Sequence, residues 1–378
     1  MPAQAHGDPR GRRARLSQAG APGGPRRLAS PRAAARAPTL ARVTGASAAV
    51  VPAAPSGPGP AFCHGVPLGE CRALAGSSSW ADRSLVRDGT FYPSRSLSAA
   101  QRLAHYASRL PLAEVATTYR FPPTPEVAQR WAGATPPGFT IDVRAWSLLC
   151  GAPTWPESLW ADLQGYVRPS QRDGAKLYRQ RLPADVVDEC WERFNHALRP
   201  LVEAGKLGAV IVRFPAWFSP RPAAFEELAT LTTRLPGLRT AVELTNPRWY
   251  EGDACEQTLS VLEALGLCFV CRDTPGPGAP IVAATADVAL VRLPGRAVRS
   301  WPVAPGPVPA APVPTAPGEG LDWEPAHAYR YSDAELAEWA PAIRDLASGT
   351  SQVHIILDNC WRANAVDNAA TMLALLAR

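Results

Sequence analysis

No apolar run in this chain approaches the roughly 20 residues a membrane helix needs; the longest are of strand length, so no membrane partner is expected. Histidine is scarce, six residues at 6, 64, 105, 196, 327 and 354, and only His354 falls in a strand-like run, away from its end. An imidazole-based metal centre is therefore not expected. No Gly-rich phosphate loop follows a strand, and there is no P-loop, nucleophile elbow or Ser-His-Asp order. These absences weigh against a dinucleotide fold and against serine hydrolase chemistry, and no cofactor is expected. The eight cysteines form no even framework, which points to reduced, mostly buried thiols and a cytoplasmic setting. Cys268 and Cys271 have the spacing of a redox or metal pair, but they lie in GLCFVCR (266–272), a strand-like run whose residues three apart face opposite sides. Core packing is the expected role.

Acidic charge is missing from one place. Residues 1–60 carry nine arginines and one acid, Asp8, a local charge of +8, so the rest of the chain is −2 against the overall +6. Rich in Ala, Pro and Gly and nearly free of aromatics, residues 1–65 are expected to be a disordered extension. A basic arm for nucleic acid, a targeting peptide and a dispensable extension are the competing readings, though no continuous apolar segment supports secretion.

From residue 66 to 378, apolar runs alternate with amphipathic segments. Strands are expected at 71–75, 112–119, 139–145, 207–214, 239–244, 266–272, 286–293 and 352–357. Helices are expected at 98–109, from Thr124, at 184–204, 222–234, 254–265, from Ser332 and at 363–378. Ser98, Thr124 followed by Pro125, and the Ser332–Glu335 capping box mark helix starts. The connection at 155–182 reads as an irregular insertion and 301–320 as a proline-rich loop, with docking of a proline-reading module as its functional alternative. Eight strands alternating with helices predict an α/β, (β/α)8 single domain of the TIM-barrel type.

Seven blocks resemble the YecE-like family, number 72 among domains of unknown function: GSSSW (76–80), GTFYP (89–93), EVATTYRFPPTPEVAQRWAGATPPGF (114–139), KLGAVIVRFPAWF (206–218), AVELTNPRW (241–249), VRLPGR (291–296) and RYSDAELAEWA (330–340). The resemblance implies a TIM barrel and leaves the activity unassigned. Relatives usually carry Gln at Arg213, Arg-His at Thr245-Asn246, His at Pro294, Lys at Arg144 and an Asn-rich run at Asp358-Asn359-Cys360. A changed ligand, or a barrel kept for interaction, follows from those departures.

Strand C-terminal ends converge on one mouth in such a barrel. Ser79, Trp80, Tyr119, Arg120, Arg144, Arg213, Asn246, Trp249, Arg292 and Asn359 are the expected ligand-binding residues, and Glu243, Asp273 and Asp358 the expected catalytic carboxylates. Arginine's planar fork suits an anion, so a small anionic ligand, a phosphorylated sugar or nucleotide fragment, is the leading partner, with acid–base hydrolysis or isomerisation as the chemistry. The alternative for the arginines is a structural network with those carboxylates. Trp80, Tyr119, Trp217, Trp249 and Trp361 form either a stacking platform or rim packing. Nucleic-acid binding through residues 1–60 is the second reading, and a non-catalytic interaction barrel the third.

Overall fold

The structure, a computed structural model, describes residues 62–168, 176–273, 280–296 and 328–378. The expected disordered extension up to residue 61 and the proline-rich loop at 301–320 lie outside the described residues, as does 169–175 within the insertion.

Strand β1 (Val66–Leu68) folds back antiparallel on β2 (Cys71–Ser77). The chain continues through β3 (Leu112–Val115), β4 (Thr140–Arg144), β5 (Leu207–Arg213), β6 (Thr240–Glu243), β7 (Cys268–Arg272), β8 (Val288–Leu293) and β9 (Gln352–Leu357). From β2 onward every strand pairs in parallel with its successor, and β9 returns to β2, closing an eight-stranded barrel. The short β1 was not anticipated; three residues carry too little periodicity to register. Both faces of these strands are covered, which is why they read as nearly continuous apolar runs. Leu74, Ala209, Ile211, Val270, Leu290 and Ile356 fill the interior, while alternate residues pack outward beneath the helices.

The helices are α1 (Arg83–Asp88), α2 (Ala99–Ala107), α3 (Pro125–Gly133), α4 (Ala184–Glu203), α5 (Pro222–Arg234), α6 (Gly252–Leu265), α7 (Asp333–Ala347) and α8 (Asn364–Leu376). Ser98 with Gln101 and Ser332 with Glu335 form reciprocal capping boxes, and the Thr124 hydroxyl caps α3, so local sequence sets these boundaries. No helix lies among the described residues between β7 and β8. There Thr285 bonds the backbone of Leu267 and Phe269, and the Ala283 N–H reaches the Cys271 sulfur at 3.4 Å. Cys268 belongs to the interior cluster and Cys271 to the outer one, the separation that strand parity requires.

The largest departure from the expected strands is in β3. The run 112–119 is extended only to Val115, and Ala116–Tyr119 form a 3-10 turn. Thr118 explains the break: its hydroxyl donates to the carbonyls of Val115 and Arg144, both at 2.6 Å, a local bond that competes with the ladder. Halfway down the barrel, His354 Nδ1 lies 3.0 Å from both oxygens of Asp142, which also accepts the Ala209 N–H at 2.8 Å. Gly208 makes room for this pair, since a Cβ there would fall 2.3 Å from Asp142 Oδ1. His354 is thus held within the core.

Candidate functional site at the barrel mouth

Side chains alternate along a strand, so the last inward positions of β3 to β8 come from Glu114, Arg144, Arg213, Glu243, Arg272 and Arg292, with Asp358 just past β9. These seven form one charged layer. Arg144 donates from Nε to Glu114 at 2.7 Å. The Arg292 Nη1 lies 2.8 Å from Glu114 and donates to Asp358 at 3.2 Å, while its Nε stands 3.0 Å from Glu243. Glu243 Oε1 is also approached by Arg272 Nε at 3.4 Å and Arg213 Nε at 3.5 Å. The Ser78 hydroxyl donates to Asp358.

The layer has two depths. Glu114, Glu243 and Arg292 are fully buried at its floor. Above them the side chains open toward solvent: Arg144 is 10% exposed, Asp358 16%, Arg272 17% and Arg213 34%. A ligand arriving from the mouth meets these four first.

Burial would raise the Glu243 pKa, but the guanidiniums of Arg292, Arg213, Arg272 and Arg144 override it and hold it at about 2. Asp358 is likewise held below the carboxylate range, burial being overcome by Arg292 and Arg144. Both carboxyls are ionised at neutral pH. Because the folded pKa of Glu243 lies below its unfolded value of roughly 4.3, its stabilisation is full above that value and disappears as pH falls toward 2. We expect unfolding free energy to drop by on the order of 3 kcal/mol between about pH 4.5 and 2. Denaturation midpoints measured across that range should fall less steeply in Glu243→Gln.

Eleven buried side-chain nitrogens and oxygens lack an aligned hydrogen-bond partner among the described residues, and seven belong to this layer. They include Arg292 Nη2, Arg144 Nη2 and both oxygens of Glu243. Several sit in close charge contact, as Glu243 does with Arg292, but without hydrogen-bond alignment. Buried polar atoms are rarely left so, and their concentration in one layer marks it out.

The other expected residues are distributed differently. Asp273 does not join the layer. It follows Arg272 and so faces away from it, bonded to Arg296 at 2.9 Å and to the Tyr331 hydroxyl at 2.7 Å. Arg296 in turn reaches Glu338, tying the end of β8 to α7. Asn359 is buried and donates to Tyr329 O and Asn368 Oδ1, each at 2.9 Å. Asn246 caps the next turn and donates to Ala216 O. Trp249 is buried, stacked on Phe218, its indole N–H donating to the Phe218 carbonyl. Trp80 is buried edge-on to Trp131, and the Tyr92 hydroxyl bonds its carbonyl. Ser79 is half-buried and caps the Ala81 N–H. Tyr119 is half-buried, and burial pushes its hydroxyl pKa well above the ordinary tyrosine value. Arg120 and Trp217 are exposed, and Trp361 is half-buried beside Arg362. The five aromatics therefore do not form one exposed platform.

Glu114 and Arg272 were missed. A strand running to Tyr119 places Glu114 in its middle, and Asp273 lies one residue past the inward end of β7. Counting by two from Val270, an interior residue, would have found Arg272.

UPF0759 protein YunF of Bacillus subtilis is 26% identical over 308 residues, 80% of this chain and 93% of its own. A DUF72 family protein from Enterococcus faecalis superposes with a TM-score of 0.60 at 21% identity, covering 81% of this chain and 96% of that one. One from Thermotoga maritima gives 0.58 at 22% identity, over 81% and 99%. These structures share the fold. The family model described as "Protein of unknown function DUF72" matches residues 74–378, nearly the whole barrel, and the chain belongs to that family.

Proposed function

We propose that the mouth binds a small anionic, hydroxyl-bearing molecule, with the phosphorylated sugars and nucleotide fragments expected above among the classes to test. The observation that carries this reading is the set of guanidinium nitrogens near the open side of the layer that lack an aligned hydrogen bond among the described residues. Arg144 Nη2 stands 3.7 Å from Asp358 without hydrogen-bond alignment, and the terminal fork of Arg213 makes no hydrogen bond among the described residues. An anion placed against Arg144, Arg213 and Arg272 would satisfy charge-assisted donors that the protein leaves open. Asp358 beside them would accept a ligand hydroxyl. Arg292, Glu114 and Glu243 act beneath as positioning residues, because they are covered by the others.

Acid–base hydrolysis fits less well. A hydrolytic pair needs one carboxyl kept protonated near neutral pH, whereas Glu243 and Asp358 are both pushed the other way. Asp273 lies outside the layer, paired with Arg296. Binding, or proton abstraction by an ionised carboxylate, is the chemistry the arrangement favours.

A thermal-shift screen of the full chain against sugar acids, sugar phosphates and nucleoside monophosphates tests the reading. A ligand at 100 times its Kd should add roughly 2.7 kcal/mol of stability. Arg213→Ala, at a half-exposed position, should keep the fold and lose the shift. A flat screen, or a shift unchanged in Arg213→Ala, would refute it.

A further inference from the structure

We infer that the ligand of this mouth carries a flat ring beside its anion, as a nucleoside monophosphate does, and that Trp217 is the residue that stacks on the ring. This rests on the binding reading above and narrows it to one chemical class. The grounds lie in the loop that follows β5.

Trp217 is 56% exposed, more than any other large apolar side chain among the described residues, while every other described tryptophan is buried or half-buried. An indole left in water forgoes a large apolar burial. Nor is its turn loose. The Phe218 N–H donates to Pro215 O at 2.9 Å, the Thr245 hydroxyl to Phe214 O at 2.8 Å and the Asn246 amide to Ala216 O at 2.6 Å. Phe218 is stacked on Phe214 with ring centroids 4.0 Å apart, and its carbonyl accepts the Trp249 indole N–H at 2.6 Å. The residues on both sides of Trp217 are thus pinned, and its own ring is left outside. An aromatic held this way loses little freedom when a ligand covers it.

Placement joins the ring to the anion. Arg213, the most open member of the charged layer at 34% exposed, stands four residues before Trp217. Four residues of chain span at most about 14 Å, so one molecule with its anion at one end and its ring at the other can meet both. The surroundings favour a nucleobase over a second sugar ring. Residues 116–125 after β3 include Arg120 and the exposed Phe121, and residues 214–225 after β5 include Trp217 and Arg221, with no Asp or Glu in either stretch. A stacked sugar ring needs acceptors at its edge for several hydroxyls, and the nearby Thr245 and Asn246 are already committed to the backbone. A base offers a π face that suits a ring among cations.

The test is calorimetric titration of the full chain with adenosine and cytidine monophosphates, each set against ribose 5-phosphate and its own nucleoside. Both monophosphates are expected to bind roughly tenfold or more tightly than ribose 5-phosphate, the contribution of one stacked base. The nucleosides, lacking the anion, should bind more weakly than either monophosphate. Binding should quench tryptophan fluorescence, and Trp217→Phe should lose that quench while keeping most of the affinity. Trp217→Ala, at an exposed position, should leave the denaturation midpoint unchanged. It should bring the monophosphates down to the ribose 5-phosphate level and leave ribose 5-phosphate itself unaffected. Ribose 5-phosphate binding as tightly as the monophosphates, and losing that in Arg213→Ala, would overturn the ring inference and leave the anion site standing. An advantage of the monophosphates that survives Trp217→Ala would overturn the assignment of Trp217 and the inference with it. Binding of none of these would overturn both the inference and the reading beneath it.

Discussion

Arg292→Ala is expected to cost about 3–5 kcal/mol of unfolding free energy, the range for removing one partner from a buried ionic cluster. The side chain is fully buried and touches Glu114, Glu243 and Asp358 together. Burial alone would lower its pKa, but those three carboxylates raise it well above the ordinary arginine value. Without it, among the described residues Glu114 keeps only Arg144, and Glu243 keeps Arg213 and Arg272 at 3.5 and 3.4 Å. Arg292→Lys should fall between, because a single ammonium cannot span three carboxylates as a planar fork does. The measurement is the denaturant midpoint, with Glu114→Gln added to Arg292→Ala. Partial recovery, a coupling of roughly 0.5–3 kcal/mol, is expected if the loss comes from the stranded carboxylate. A loss under about 1 kcal/mol, within the ordinary effect of a single substitution, would mean the layer does not depend on this residue. Affinity is better read at Arg213, which is open to solvent, than at Arg292, which is not.

The barrel was legible because it rests on patterns that survive translation into sequence: apolar runs of strand length, capping residues and alternation. Ser332 with Glu335 and Thr124 before Pro125 announce helices whatever surrounds them, and the structure places helices there. The site was legible only in part. Arg144, Arg213, Glu243, Arg292 and Asp358 were found because they end strands, and the structure joins them by ion pairs. Glu114 was lost because a threonine hydroxyl, not an apolar pattern, ends β3. Asp273, Trp249 and Asn359 stand beside strand ends too, but each finds its partner elsewhere: Arg296, the Phe218 carbonyl and Asn368. One residue of phase along a strand turns a side chain from the mouth to the helices, and spacing alone does not reveal such an offset where a strand stops irregularly.

The same lesson governs Gly76, whose replacement by alanine is expected to destabilise the barrel by at least about 3 kcal/mol, the upper end for overpacking. GSSSW holds two of the expected ligand-binding residues, Ser79 and Trp80, yet its glycine sits where β2 meets β3. A Cβ on Gly76 would lie 1.8 Å from the Leu112 carbonyl oxygen and 2.6 Å from its carbon. Both are backbone atoms, so no rotamer change relieves the contact. The seam has little reserve, since β2 and β3 are in register only at Gly76 opposite Leu112 and Ser77 opposite Ala113. Tyr106 bridges it, donating its hydroxyl to Leu112 O at 3.0 Å and accepting the Ser77 N–H at 2.7 Å. Pushing Leu112 away breaks that bridge. It also moves Glu114, two residues on, away from Arg144 and Arg292, so the mouth should lose its anion affinity along with stability. Gly349→Ala is the control. Gly349 has no neighbour within 4 Å of an added Cβ and no positive φ, so its change should stay within about 0.5 kcal/mol. Equal midpoints for the two variants would show that β3 can yield at the seam, and that Gly76 serves the loop it opens instead of the joint it occupies.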